Sequence, residues 1–297
     1  MNKTEMVTRI NKFNKENSSV TLKLGHKNNK NYFFIEAEID NAIQKELFEL
    51  LQDSILKIVS CNDLVEFNVV GHQDDTIELI RADDVDGYSV LIADMKERNN
   101  LAENIIELGE INFYLLEINR GNDNIKIFRR YSKAKSLSKG LLFKSISSKL
   151  SKIDGNIFQV DNIIDFIVFN DTEIIIFNRY SFEVITNYRD NYIENLNRAL
   201  EEIDNSELIN NMEKFEEDCK SSIRIAKQFT KAMQENSINL ILNNPEAIKE
   251  AIKEADLPID FTNNKFQYES REQLSILVAL LSDKYAKTLI GKRITTE

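Results

Sequence analysis

The spacing of apolar residues changes once along this chain of 297 residues, and that change limits the folds it can adopt. Before about residue 180, short runs rich in Ile, Val, Phe and Tyr alternate with turn residues, which is typical of strands. From about Ser181 onward, the apolar residues recur at helical spacing. We therefore predict an α+β fold, with a strand-rich mixed sheet and helices in the first part and a mostly helical second part. The corresponding domains are residues 1–180 and 181–297.

The first part is predicted to contain short strands and one long helix. The strands cover residues 20–24, 32–39, 64–70, 76–81, 88–93, 111–119 and 125–131. Asp40 is a good helix N-cap, and the apolar residues after it form one stripe that must pack against the neighbouring strands. This stripe consists of Ile43, Leu47, Leu50, Leu51 and Ile58. A short helix is also predicted over residues 95–108.

Two further apolar runs, at residues 163–169 and 173–180, are separated only by Asn170, Asp171 and Thr172. Turn-forming residues between two strand-like runs predict a β-hairpin, and the apolar character of both runs indicates that it lies inside a buried sheet.

The second part carries several helix signals. One predicted helical face consists of Ile193, Leu196, Leu200 and Ile203. Pro245 can begin another helix, because proline is tolerated in the first turn. Ser270 and Gln273 have the spacing of a capping box before a last helix that runs to about residue 290 and is apolar nearly all round. Such a helix is buried, either within this protomer or against another one.

Several classes of protein are disfavoured by what the sequence lacks. The apolar runs fall short of the roughly 20 residues that span a bilayer, and the first residues do not form a secretory signal, so we expect a cytoplasmic protein. Cys61 and Cys219 form neither a disulfide framework nor a metal motif. Eight widely spaced glycines cannot build a phosphate-binding loop, and two histidines offer little for catalysis. The sequence predicts no cofactor.

Charge is distributed very unevenly. The net charge is −11, yet residues 126–152 hold nine basic residues and no Asp or Glu. We call this stretch the basic segment. Its basic residues are Lys126, Arg129, Arg130, Lys133, Lys135, Lys139, Lys144, Lys149 and Lys152. Such asymmetry favours one surface that binds an anionic partner.

The composition of the basic segment suits a phosphate backbone. Lysine and arginine neutralise phosphates, its seven serines can bond to phosphate oxygens, and Phe128, Tyr131 and Phe143 can stack on bases. We predict DNA binding with little sequence specificity. Three alternatives stay open: lysines that keep a sheet edge soluble, binding to anionic lipid, and docking on an acidic protein.

A second set of cations recurs at helical spacing in the second part. Lys220, Arg224, Lys227 and Lys231 are predicted to lie on one helix face. Ile225, Phe229 and Met233 are predicted to lie on the opposite face. The stripe is a candidate second contact with DNA, although the solvated side of an amphipathic helix has the same pattern.

One enzymatic alternative is a magnesium-dependent nuclease. Asp86 and Asp94 are candidate metal ligands, and Lys96 could orient the attacking water. Short matches of this kind are common in charged sequences, so we predict a non-enzymatic protein without a metal site.

The residues around the hairpin carry a family resemblance. The stretch from Lys126 to Tyr188, reading KIFRRYSKAKSLSKGLLF and then IFQVDNIIDFIVFNDTEIIIFNRYSFEVI, resembles the KwaB family, the cytoplasmic subunit of the bacterial Kiwa anti-phage system. The close similarity covers roughly a fifth of the chain and carries no catalytic signature. Its markers are Asp165, Phe169, Asn178, Phe182 and Glu183.

The resemblance implies a non-enzymatic defence effector that binds phage DNA and hinders its replication and transcription. It also implies a homodimer or higher homo-oligomer that docks on a small inner-membrane partner similar to KwaA, which recruits it to the inner face of the membrane.

Overall fold

A computed structural model describes residues 1–71, 73–97, 111–131, 143–146, 149–152, 158–287 and 294–296. The chain divides into two compact units. Unit 1 comprises Met1–Phe67 and Gln73–Tyr188, and unit 2 comprises Asn68–His72 and Arg189–Glu297. The domain limits given above, residues 1–180 and 181–297, stay a prediction.

Unit 1 is built on a mixed eight-stranded sheet with the order β2-β1-β5-β6-β9-β10-β4-β3. The strands of this sheet are β1 (Ser19–Asn28), β2 (Asn31–Ala37), β3 (Asp63–Glu66), β4 (Thr76–Arg81), β5 (Phe113–Arg120), β6 (Asp123–Arg130), β9 (Phe166–Phe169) and β10 (Glu173–Ile176). Strands β3 and β4 are parallel, and the other neighbours are antiparallel. The helices of unit 1 are α1 (Lys3–Lys12), α2 (Asn41–Cys61), α3 (Asp86–Glu97) and α4 (Arg179–Ile185). The predicted α+β class is thereby confirmed.

Helix α2 packs on one face of the sheet, but through a different stripe from the predicted one. Asp40 caps the helix as expected, since its side chain accepts hydrogen bonds from the N–H groups of Ala42 and Ile43. Ile43 and Leu50 are exposed. The buried residues are Leu47, Phe48, Leu51, Ile55 and Val59. These residues recur at intervals of three and four, so the true stripe is rotated around the helix from the predicted one.

The strand predicted over residues 88–93 is wrong, because these residues belong to helix α3. Tyr88, Leu91, Ile92 and Met95 are buried, and their spacing places them on one helical face. Most of the helix predicted over residues 95–108 lies outside the described residues. The strand predicted over residues 64–70 is shorter, since β3 ends at Glu66.

The predicted central hairpin is confirmed. Strands β9 and β10 are antiparallel neighbours in the interior of the sheet, and nearly every residue of both is buried. Asn170 and Asp171 both have positive φ, at 48° and 55°. Asn and Asp tolerate this left-handed conformation, which a tight hairpin turn requires.

A second, separate hairpin forms within the basic segment. Strand β7 (Phe143–Ile146) pairs with β8 (Lys149–Lys152) in an antiparallel two-stranded sheet. It is not part of the eight-stranded sheet.

Unit 2 is mostly helical. It contains most of α5 (Tyr188–Asn205), and then α6 (Met212–Lys220), α7 (Ile223–Gln234), α8 (Ser237–Leu242), α9 (Pro245–Ala255) and α10 (Leu274–Leu281). Short antiparallel pairs form between β11 (Phe261–Thr262) and β12 (Lys265–Phe266) and between β13 (Tyr285–Lys287) and β14 (Ile294–Thr296).

Several local predictions for unit 2 are confirmed and two are wrong. Pro245 begins α9, and Ser270 and Gln273 form the capping box. On α5 the inner position is Tyr192 rather than Ile193, which is exposed. The last helix is much shorter than predicted, because it ends at Leu281 and the chain continues into β13.

Two global features bear on function. Among the described residues, no helix combines the length and apolar character needed to cross a membrane. Cys61 is exposed, Cys219 is buried, and both are free thiols.

Candidate nucleic-acid interface

The basic segment divides into three groups of residues. Lys126, Arg129 and Arg130 belong to the central strand β6. Lys133, Lys135 and Lys139 lie outside the described residues. Lys144, Lys149 and Lys152 belong to the separate β7–β8 hairpin.

Lys126 lies inside unit 1 and is neutralised there. Its side chain is 2% exposed, and its Nζ lies 2.7 Å from Asp171 Oδ1 and 3.5 Å from Glu117 Oε1. It also donates to Asn124 Oδ1 at 3.2 Å. Glu117 lies in turn 3.6 Å from the buried Lys23. Opposite charges therefore alternate across β1, β5, β6 and the β9–β10 turn.

Arg129 is held by two carboxylates. Its Nε and Nη2 donate to both oxygens of Asp161, at 3.1 and 3.0 Å. Its Nη1 lies 3.2 Å from Oδ1 of Asp165, whose side chain is fully buried. Bidentate pairing of this kind is strong and directional, so it fixes the guanidinium in place.

These placements argue against DNA contacts for Lys126 and Arg129. Each already pairs with two carboxylates, and removing such a cation from its partners would leave buried negative charge. Arg130 is half-buried, and its guanidinium lies 5.0 Å from the ring centroid of Tyr180. The first three cations of the basic segment therefore contribute more to the stability of unit 1 than to a DNA-binding surface.

The residues that mark the family resemblance also have structural roles. The carboxylate of Asp165 accepts the backbone N–H of Arg130 at 2.5 Å in addition to the Arg129 bonds. Asn178 caps α4 by accepting the N–H of Ser181 at 3.1 Å. Glu183 is buried and pairs with Arg179 at 3.3 Å.

Two aromatic markers complete this framework. Phe169 is buried in the core beneath helices α1 and α2. Phe182 is fully buried, with its ring centroid 5.5 Å from those of Phe166 and Tyr188. The markers therefore specify packing around the central hairpin.

The register of the β7–β8 hairpin pairs each of its lysines with an uncharged residue. Lys144 pairs with Ser151, and Lys149 pairs with Ile146. Lys152 pairs with Phe143, so no two lysines of β7 and β8 are direct partners across the hairpin.

The cationic stripe predicted on one helix is interrupted. Lys220 is the last residue of α6, and the chain leaves the helix at Ser221 and Ser222 before α7 begins. The prediction that Lys220 shares a helix face with Arg224 is therefore wrong. Lys220 forms an ion pair with Glu216 on its own helix.

The remaining three cations of the stripe do lie on α7, and the expected apolar face is largely confirmed. Ile225 and Phe229 are buried, whereas Met233 is half-buried. Lys227 lies 4.8 Å from the ring centroid of Tyr192. Lys231 lies 3.6 Å from Glu235.

The candidate nuclease residues do not form a common site. Asp86 and Asp94 lie eight residues apart on α3, which separates their backbones by roughly 12 Å along the helix axis. A Mg²⁺ ion binds its ligands at about 2 Å, so the short side chains of two aspartates at this separation cannot both reach the same ion. Asp94 instead accepts the N–H of Tyr32 on the edge strand β2 at 2.8 Å. Within the described ranges, no group of three potential ligand residues could hold a metal ion.

Replacing Lys126 with methionine is expected to destabilise the protein by about 2 kcal/mol, because charged hydrogen bonds are lost at nearly constant volume. Burial raises the pKa of Asp171, but hydrogen bonds from Lys126 and Tyr88 outweigh it, so this pKa lies below its usual value of 3.8. A lowered carboxylate pKa stabilises the fold above the unfolded-state pKa, and this contribution is lost as pH falls.

The difference between wild type and Lys126→Met should therefore be largest above about pH 4 and shrink on further acidification. Urea unfolding at several pH values measures it. A difference that stays constant down to the acid limit would contradict this role for the Lys126–Asp171 pair.

These observations define a class of protein: an α+β protein with a mixed eight-stranded sheet, charged residues paired within it, and a helical second unit. No curated protein and no solved structure matches the chain. The family model described as Kiwa protein KwaB-like matches residues 108–291, which is more than half of the chain. The chain belongs to the KwaB-like family, and it is thereby a component of Kiwa anti-phage defence.

Proposed function

We propose that this chain is the DNA-binding effector of a Kiwa system and that it binds the phosphate backbone through the basic segment beyond β6. The observation that most directly supports this proposal is the β7–β8 hairpin, a basic ribbon outside the eight-stranded sheet. It belongs to a stretch, from Lys133 to Lys152, with six lysines and no Asp or Glu.

The shape of this hairpin supports the proposal. A two-stranded ribbon is one of the few elements narrow enough to enter the major groove of B-DNA. The lysines of such a ribbon would contact phosphates along the groove, while the serines bond to phosphate oxygens. Contacts of this type carry no sequence information, so binding would be largely independent of base sequence.

The proposed biological effect follows from the presence of the bound protein on the DNA. A protein held on DNA by many phosphate contacts obstructs the enzymes that must move along that DNA. Hindered phage replication and transcription is thus the effect proposed for this chain. The same proposal includes a homo-oligomer and a small inner-membrane partner similar to KwaA, both of which rest on the family membership.

The salt dependence of binding tests the proposal. If about five lysines each contact a phosphate, log affinity should fall against log salt with a slope of about −4 to −5. Fluorescence anisotropy of a labelled duplex of random sequence measures this slope. An affinity that does not depend on salt would refute backbone binding.

The other hypotheses drawn from the sequence are outcomes of parallel measurements. Plasmid cleavage in the presence of Mg²⁺ or Mn²⁺ would show a nuclease. Retention of a protein partner from nuclease-treated lysate, combined with absent DNA binding, would favour a docking module. Binding only to vesicles of anionic lipid would favour a membrane-surface role.

A further inference from the structure

An exposed aromatic ring lies beside the last cation of strand β6. Two of the aromatic residues predicted to stack on bases are poorly placed for it, because Phe128 is fully buried and Tyr131 is half-buried and stacked on Phe158. Tyr180 is 51% exposed, and no other aromatic side chain that the structure describes is exposed to this extent. The guanidinium of Arg130 lies over the Tyr180 ring, 5.0 Å from its centroid. We call these two side chains the Arg130–Tyr180 pair.

The packing of three phenylalanines positions the Arg130–Tyr180 pair. Phe128 of β6 stacks on Phe166 of β9 at 4.4 Å between ring centroids. Phe182 of α4 meets Phe166 edge-on at 5.5 Å. Arg130 lies two residues after Phe128 and therefore on the same face of β6. Tyr180 lies two residues before Phe182, in the first turn of α4. The pair is thus held at the surface by the core of unit 1.

The charge of Arg130 is compensated less than the charges of the two cations before it on β6. Lys126 and Arg129 each lie close to two carboxylates. Arg130 donates its backbone N–H to Asp165, but its guanidinium forms no ion pair with any carboxylate in the described ranges. A positive charge therefore lies against the exposed ring, three residues before Lys133 in the basic segment.

We propose that the ring of Tyr180 is a stacking site for an unpaired base of DNA. This inference rests on the proposed function, since it adds a base contact to the same ligand. Every base has a flat π face, so an exposed aromatic ring binds bases without reading their sequence. The guanidinium of Arg130 adds its attraction for the base and for the neighbouring phosphate.

The geometry of stacking specifies the kind of DNA that this site binds. Inside a duplex, both faces of each base are already covered by the neighbouring bases. Only an unpaired base offers a face to the ring of Tyr180. The ligand of the Arg130–Tyr180 pair is therefore a single strand, or a single-stranded part of a DNA whose duplex part contacts the basic segment.

Removing the ring should weaken binding to a single strand but not to a duplex. In the full-length protein, Tyr180→Ala should lower the affinity for a labelled thymidine oligonucleotide by roughly 5- to 150-fold, the usual effect of losing one stacked base. Tyr180→Phe keeps the ring and should retain the affinity. Leu50→Ala shortens an exposed side chain on α2 and is the matched control, which should leave the affinity unchanged. Fluorescence anisotropy measures the affinities, and circular dichroism verifies that the variants are folded.

An oligonucleotide without bases separates stacking from charge. Wild type should bind an abasic strand of the same length more weakly than the thymidine strand, and Tyr180→Ala should reduce this difference. Equal affinities of wild type and Tyr180→Ala for the thymidine strand would overturn the inference, as would be observed if the pair contacts a protein instead. Duplex binding, and with it the proposed function, would then still stand.

Photocrosslinking gives a direct readout of the contact. A strand that contains iodouracil crosslinks to an aromatic side chain stacked on that base. Trypsin cleaves after Arg179 and Arg189, and tandem mass spectrometry of the peptide between them should place the crosslink on Tyr180 rather than on Tyr188. Crosslinks on other aromatic residues with none on Tyr180 would overturn the inference. If wild type binds duplex but no single strand, only the inference fails, and if it binds neither, the proposed function fails as well.

Discussion

Replacing Lys144, Lys149 and Lys152 with glutamate is expected to lower DNA affinity by at least roughly 500-fold at about 0.1 M salt. Each lost phosphate contact removes about 0.9 log units of affinity per tenfold step in salt below 1 M, and three contacts are lost together. The new carboxylates also repel the backbone, so the estimate is a lower limit. Fluorescence anisotropy with labelled duplex measures the affinity.

The fold should tolerate these three replacements. None of the three lysines pairs directly with another across the hairpin, so three carboxylates do not become direct cross-strand neighbours. Replacing Lys133, Lys135 and Lys139 with glutamate should have a similar effect, because these residues belong to the same acid-free stretch.

A matched control carries the same change of charge elsewhere. Lys45 and Lys57 are exposed on α2, and Lys253 is exposed on α9. Their combined replacement with glutamate lowers the net charge equally, so it should weaken binding only slightly through long-range repulsion. If the control and the hairpin variant lose affinity equally, net charge rather than the basic segment determines binding, and the proposed interface is refuted.

Replacing Asp165 with alanine is expected to destabilise the protein by about 3–5 kcal/mol, the usual cost of removing one partner from a buried ion pair. The fully buried carboxylate accepts hydrogen bonds from the Arg129 guanidinium and from the backbone N–H of Arg130. Both donors would lose this acceptor next to the central hairpin. Urea unfolding followed by circular dichroism measures the change.

Two further variants sharpen the interpretation. Asp165→Asn keeps an oxygen that can accept the Arg130 N–H, so it should cost less than alanine. Asp83 forms an ion pair with Arg81 in which both side chains are more than 70% exposed, and Asp83→Ala should change stability by about 0–1 kcal/mol. If Asp165→Ala costs no more than Asp83→Ala, the family marker at this position does not act through stability.

Local signals predicted much of the fold because they depend only on neighbouring residues. The turn at Asn170 and Asp171, the cap at Asp40 and the capping box at Ser270 need no tertiary information. The misassigned helix α3 shows the limit of such reasoning. A short apolar run such as residues 88–93 fits a strand or a buried helix equally well. The length of the whole element distinguishes the two, and helix α3 extends over Asp86–Glu97.

The candidate site was harder to predict than the fold. In the sequence, nothing distinguishes Lys126 from the other cations of the basic segment. Its partner Glu117 is its direct cross-strand neighbour, and its partner Asp171 lies in the turn of a different hairpin. Neither contact can be identified before strand register and sheet order are known.

The sequence alone therefore determined the α+β class, the central hairpin, the family resemblance and the uneven distribution of charge, since these depend on composition and short-range spacing. Only the tertiary structure decided that Lys126 and Arg129 are paired inside unit 1. The physical reason is that electrostatic interactions depend on distance through space and on burial. Residues far apart in sequence come close together and become buried only when the chain folds.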